Sequence, residues 1–267
     1  MIDDNNIQVA DLCTLQFREP LEYEMYPEQV DMYCAKIANQ ELKVQVLVDS
    51  SLELAPPKIV CYNDKGYELI VADFVISETG VGTNIFYAEV TISKSSIAAI
   101  AENSIVYFSI ESDDRVDIFA TSVWYTINPA YTGDLKQITY SHSENDWNVQ
   151  FNYSSFTLTV ECGFIPEDNR DEQEVDDFVQ QNMVNEITYG DEYEVIPLTY
   201  GDGIGIPNWL RIKLSRASLC DNFKVSKDNV DMPITRIQGA KMEKVKATEN
   251  GLGIYKLDVQ RTNNYLQ

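Results

Sequence analysis

Leu42-Lys43-Val44-Gln45-Val46-Leu47-Val48-Asp49 places Leu42, Val44, Val46 and Val48 on one parity, with Lys43 and Gln45 between them. Alternation of period two, rich in β-branched residues, is the pattern of a strand with one buried face. Working outward, comparable runs cover residues 30–38, 58–62, 67–76, 84–92, 104–111 and 117–127. Upstream, Ile7, Val9, Cys13, Leu15 and Phe17 share a parity. The breaks carry turn chemistry at Asp49-Ser50-Ser51, Pro56-Pro57, Asn63-Asp64-Lys65-Gly66 and Gly80-Val81-Gly82. Residues 96–102 read as one helical turn between strands. Short strands at this spacing predict an antiparallel β-sandwich over residues 1–128, laid out like an immunoglobulin or fibronectin type III domain. The Cys…Trp…Cys pattern of a true antibody domain is missing.

Residues 129–134 read as a linker, because Pro129 cannot donate to a ladder, Gly133 permits positive φ, and the segment has no periodicity. A second β-rich domain is expected over 135–267, with strands at 135–140, 147–153, 156–162, 223–225, 234–237, 241–246 and 254–261. Two helices are predicted inside it. Val175, Phe178, Val179, Met183 and Ile187 form an apolar stripe for a helix near 171–187, with Asp171 and Glu174 as a capping box. Pro207 opens a helix near 207–219 that carries Trp209, Leu210, Leu214 and Ala217 on one side. Arg211, Lys213 and Arg216 fall on its other faces.

Charge is distributed unevenly. The chain has a net charge of −23, which opposes binding to duplex DNA or anionic lipid, so neither is an expected partner. Between Glu161 and Glu194 stand twelve carboxylates and one cation, Arg170; from Val195 onward, seven acids face eleven bases. Glu167, Asp168, Asp171, Glu172, Glu174, Asp176 and Asp177 do not have the spacing of a twelve-residue calcium loop, so no metal is expected there. These acids, with Arg211, Lys213 and Arg216, are instead candidate contacts for assembly between subunits, or for pairing within one. The single histidine, His142, sits in the polar stretch Tyr140-Ser141-His142-Ser143-Glu144 with no nucleophile nominated beside it. Gly201, Gly203 and Gly205 match neither the dinucleotide fingerprint nor the phosphate loop, and favour a tight turn. No catalytic residue and no cofactor is expected. Cys13, Cys34, Cys61, Cys162 and Cys220 are odd in number, without a C-x-x-C, and read as free thiols. The start, Met1-Ile2-Asp3-Asp4-Asn5-Asn6, lacks the form of a signal peptide, so a cytosolic chain is expected.

Gly163-Phe164-Ile165-Pro166, the acidic helix expected near 171–187, Leu198-Thr199-Tyr200-Gly201-Asp202, Gly205-Ile206-Pro207-Asn208-Trp209-Leu210 and Leu219-Cys220-Asp221 form a spaced pattern of glycine, proline and aromatic positions. With the closing Tyr255-Lys256-Leu257-Asp258-Val259-Gln260 and Asn263-Asn264-Tyr265-Leu266-Gln267, it resembles a module of virion structural proteins from tailed phages and prophages of Bacteroidetes, crAss-like phages included. The resemblance spans residues 135–267. It implies a structural role in the tail or neck of a virion, as a ring or connector, with copies of itself and other virion proteins as partners. It also implies assembly in the host cytoplasm and no active site. A glycan-binding or host-attachment sandwich is the alternative that the tyrosine content leaves open.

Overall fold

A computed structural model describes residues 7–18, 33–38, 40–49, 55–80, 85–127, 135–141, 154–164, 170–179, 185–201, 204–227, 230–248 and 251–261. The chain is mainly β, with eighteen strands and two short helices among those residues. The first half supplies β1 (Ile7–Val9), β2 (Ala35–Ile37), β3 (Leu42–Asp49), β4 (Lys58–Asn63), β5 (Glu68–Asp73) and β6 (Val75–Gly80). It continues through β7 (Ile85–Ile92), α1 (Lys94–Ala98), β8 (Ile105–Glu111), β9 (Ile118–Thr121) and β10 (Tyr125–Ile127).

One antiparallel sheet has the order β1-β3-β7-β6, and a second runs β10-β8-β4-β5 with β9 also on β8. In β3 the alternation is realised directly: Leu42, Val44, Val46 and Val48 are fully buried. Gln45 is buried too, and its amide donates to Glu89 Oε2 at 2.9 Å, which satisfies the polar group there. The expected turn before β5 forms as the sequence implies. Asn63 Oδ1 accepts from the backbone N–H of Lys65 and Tyr67, and Gly66 adopts φ +76°. The helical turn expected over 96–102 appears earlier, as α1 over Lys94–Ala98, capped by Ser93 accepting from Ser96 N.

The second half contains β11 (Leu135–Tyr140), β12 (Phe156–Phe164), β13 (Arg170–Val179) and β14 (Asn185–Tyr200). Then come α2 (Asn208–Ala217), β15 (Lys224–Lys227), β16 (Val230–Arg236), β17 (Glu243–Ala247) and β18 (Gly253–Arg261). Antiparallel pairing runs β12-β11-β15-β16-β18-β14 and returns to β12 through Cys162, Gly163 and Phe164 against Tyr200, Thr199 and Leu198. The ring is a closed six-stranded barrel. Alternation in β18 buries Tyr255, Leu257 and Val259 while Lys256, Asp258 and Gln260 are only half-buried. The helix α2 adds Trp209, Leu210, Leu214 and Ala217 to the core. Its start agrees with the sequence to within a residue: Pro207 is the extended N-cap, at φ −73° and ψ 161°. β2 pairs with β10 on one side and with β12, at Lys36 and Thr159, on the other. The sheet therefore passes from the first half into the barrel without a break, and buried side chains from both join one core.

One predicted element is corrected. The helix expected near 171–187 does not form: residues 170–179 and 185–200 are β13 and β14, paired from Arg170↔Val195 to Val179↔Asn185 with a bulge at Asp176/Asp177. Long-range pairing satisfies the backbone there, overriding a weak helical preference. The stripe that suggested the helix skips Asn182 and Glu186, positions where a continuous apolar face requires apolar residues. The expected strand at 147–153 and the linker at 129–134 lie outside the described residues.

The glycine run serves close packing between the end of β14 and α2. Gly201 has φ +81°, and a Cβ on it would stand 2.8 Å from the backbone of Gly205 and Ile206. Gly66 has a similar φ, with nothing within 4 Å of an added Cβ. Both Gly→Ala substitutions carry the left-handed penalty of about 1–2 kcal/mol, and only Gly201→Ala adds a backbone clash. Urea unfolding should show Gly201→Ala losing clearly more stability than Gly66→Ala, and equal losses would mean the turn is looser than described.

Candidate functional site

The acidic residues nominated from the sequence map to one element. Asp171, Glu172, Glu174, Asp176 and Asp177 all lie on β13; Glu167 and Asp168 lie outside the described residues. Among the described residues β13 ends the sheet and pairs only with β14. Among the described residues β14 in turn meets β18 only over 195–200 and β12 only over 198–200. Residues 170–179 and 185–194 therefore form a two-stranded arm extending past the barrel. A two-stranded hairpin alone is marginally stable in water. The register makes this one worse, setting Asp171 opposite Glu194 and Glu174 opposite Asp191. Like charges directly opposite destabilise a strand pair. At the base of the arm Arg261 Nε lies 3.7 Å from Glu194 Oε2.

The basic helix is not brought to that arm. It sits where the N-terminal segment meets the barrel. Arg216 Nη1 donates to Asp11 Oδ2 at 2.5 Å, Arg211 Nε donates to Asn208 Oδ1 at 2.9 Å, and the Arg211 guanidinium lies 5.8 Å from the centre of the Tyr255 ring. Lys213 is buried, against its expected outward placement, and Nζ donates to the Leu15 carbonyl at 2.9 Å. Cys13 Sγ donates to the same carbonyl at 3.1 Å, and the Tyr140 hydroxyl donates to Leu12 O at 2.8 Å. Burial pulls the Lys213 pKa down to about 8 while the charges of Cys13 and Asp11 act to raise it. Burial pushes the Cys13 thiol up. A cavity of about 20 Å³, with room for one water, adjoins Lys213, Thr14, Gln16 and Tyr125.

Two surface features escape single-sequence reading. Among the described residues the strand β17 pairs only with β18, and every residue in it is exposed. Lys244 and Lys246 lie in it and exposed Lys241 just precedes it, with Val245 60% exposed. The sequence predicts this strand and counts its charges, but open edges belong to topology. On the first half Tyr62 stacks on Tyr107 with ring centres 5.3 Å apart, and Tyr107 meets Trp124 edge-on at 5.0 Å. Arg115 closes this row, donating from Nη2 to the Tyr62 hydroxyl at 3.0 Å and pairing with Glu68 and Glu111. Only the strand register reveals that these rings are neighbours.

His142 lies outside the described residues. Among those described, no group of three or more His, Cys, Asp or Glu residues could hold a metal ion, and no helix is long and apolar enough to cross a membrane. All five cysteines are free thiols; Cys34 is half-buried and the others are buried. The chain matches no known family, no curated protein and no solved structure.

Lys213 yields a pH signature. Its folded pKa of about 8 lies below the ordinary 10.5, so between these values the unfolded chain holds a proton that the folded chain has released. Folding through this site becomes more favourable as pH rises across that window. Wild type should gain up to about 3 kcal/mol of stability relative to Lys213→Met between about pH 7 and about pH 10, measured by urea unfolding. A difference that does not change with pH would contradict the burial of Lys213.

Proposed function

We propose that this protein is a structural component of a tailed-phage virion, a tail or neck ring or connector that acts by assembling with copies of itself and with neighbouring virion proteins. The observation that carries the reading is the β13–β14 arm. A two-stranded element with like charges in register is a poor free-standing structure, and a partner strand that adds main-chain hydrogen bonds and supplies cations remedies both defects. The resemblance of residues 135–267 to virion proteins of Bacteroidetes phages supports the same role. The net charge of −23 suits a subunit that must stay soluble before it assembles. On this reading the two N-terminal sheets are an immunoglobulin- or fibronectin-like sandwich that spaces the barrel from its neighbours, and the protein's place is the virion. Its contribution is mechanical rather than catalytic.

A second reading rests on the Tyr62–Tyr107–Trp124 row. Aromatic rings aligned on a sheet are the kind of surface on which a sugar ring stacks, which favours a host-attachment module. Such rings also stabilise cross-strand pairs without any ligand. The two readings separate by mass. Mass photometry from nanomolar to micromolar concentration should show the wild-type chain moving from monomer to one discrete multiple. A monomer throughout, with glycan binding that Tyr107→Ala abolishes, would replace the assembly role with attachment.

A further inference from the structure

The barrel sheet has two open borders of opposite charge. In the local order β13-β14-β18-β17, the acidic strand β13 stands at one border and the lysine-bearing β17 at the other. Each offers a row of backbone N–H and C=O groups without a strand partner among the described residues, and such an edge is a template for another strand. We infer that β13 of one copy adds to β17 of the next, so that the barrel sheets join head to tail. This deepens the assembly role proposed above and rests on it.

Three observations carry the contact. Topology rules out its being made within one copy through this sheet, because β14 and β18 stand between the two strands. Charge then selects the partner: β13 carries Asp171, Glu172, Glu174, Asp176 and Asp177 against Arg170, while in β17 exposed Lys244 and Lys246 accompany Glu243, with exposed Lys241 two residues before the strand. None of these three lysines makes an ion pair among the described residues. Finally, the two strands match in kind, since the five residues of β17 present a length of roughly 17 Å to the ten of β13. The contact supplies main-chain hydrogen bonds to both edges and cations to a strand whose sequence is rich in carboxylates. The net negative charge of each copy opposes association at long range, but screening beyond about 8 Å leaves the local attraction dominant at contact. Two different borders meeting make a heterologous interface, which repeats until the rotation closes a ring.

The test is a charge swap read by mass photometry, with circular dichroism melts as the check on folding. One variant carries Lys241→Glu, Lys244→Glu and Lys246→Glu; a second carries Asp171→Lys, Glu172→Lys and Glu174→Lys. Each alone sets like charges against like and should self-associate at least about tenfold more weakly than wild type. Mixed one to one, their borders are complementary again, and assembly should return. Added to wild type, the β17 variant should cap growth and lower the mean mass, a readout that survives if the β13 variant fails to fold. Assembly of the β17 variant at wild-type strength would overturn this contact and leave the assembly role standing. Folded variants whose mixture stays monomeric would also overturn it. A wild-type chain that is monomeric at every concentration would remove the assembly role and this contact together.

Discussion

Closure of the barrel at β12 and β14 is the constraint on which the other parts depend. Cys162, Gly163 and Phe164 pair with Tyr200, Thr199 and Leu198, converting an open sheet into a ring with no unpaired border at that point. The strands must come close, and the sequence permits it: a Cβ on Gly163 would lie 2.7 Å from Thr199 Oγ1. β12 also takes β2 as a partner, so the same strand ties the first half to the barrel. β14 is held over residues 195–200 by β18 and over 198–200 by β12 as well, and the arm is launched from that anchored end. The turn at Gly201 then directs the chain into α2, which covers core residues and meets the N-terminal segment.

The charges divide into those used within the subunit and those left at its borders. The cations of α2 are consumed internally by Asp11, Asn208 and the Leu15 carbonyl. Burying Lys213 costs free energy that its hydrogen bond only partly offsets, so the neighbouring chain must hold it firmly in place. The cations of β17 stay on an exposed edge. Opposite charge therefore remains at the two ends of one local sheet, an arrangement that favours repetition between copies over pairing within one.

Much of the β architecture was legible because burial on one face of a strand leaves a period of two. Leu42 to Val48 and Tyr255 to Val259 follow that rule, and Pro207 marks α2 because proline suits a helix start. The arm was not legible for a physical reason. Period-two alternation is the signal by which a strand is read; β13 lacks it, and its scattered Val175, Phe178 and Val179 mimic a helical stripe. Lys213 misled for the opposite reason, since a helical wheel assigns a lysine to solvent and only tertiary packing places it against Leu15. The aromatic row and the free edge of β17 are products of register and strand order, which no local pattern encodes.

Hydrogen–deuterium exchange on the arm tests its dependence on a partner most directly. In dilute monomer the amides of residues 170–179 and 185–194 should exchange far faster than those of 198–200, which the barrel holds on both sides. On assembly the arm should become protected while the barrel amides change little. Arm amides as slow as the barrel's in the monomer, or still fast in the assembled state, would contradict an element whose stability is completed by another copy.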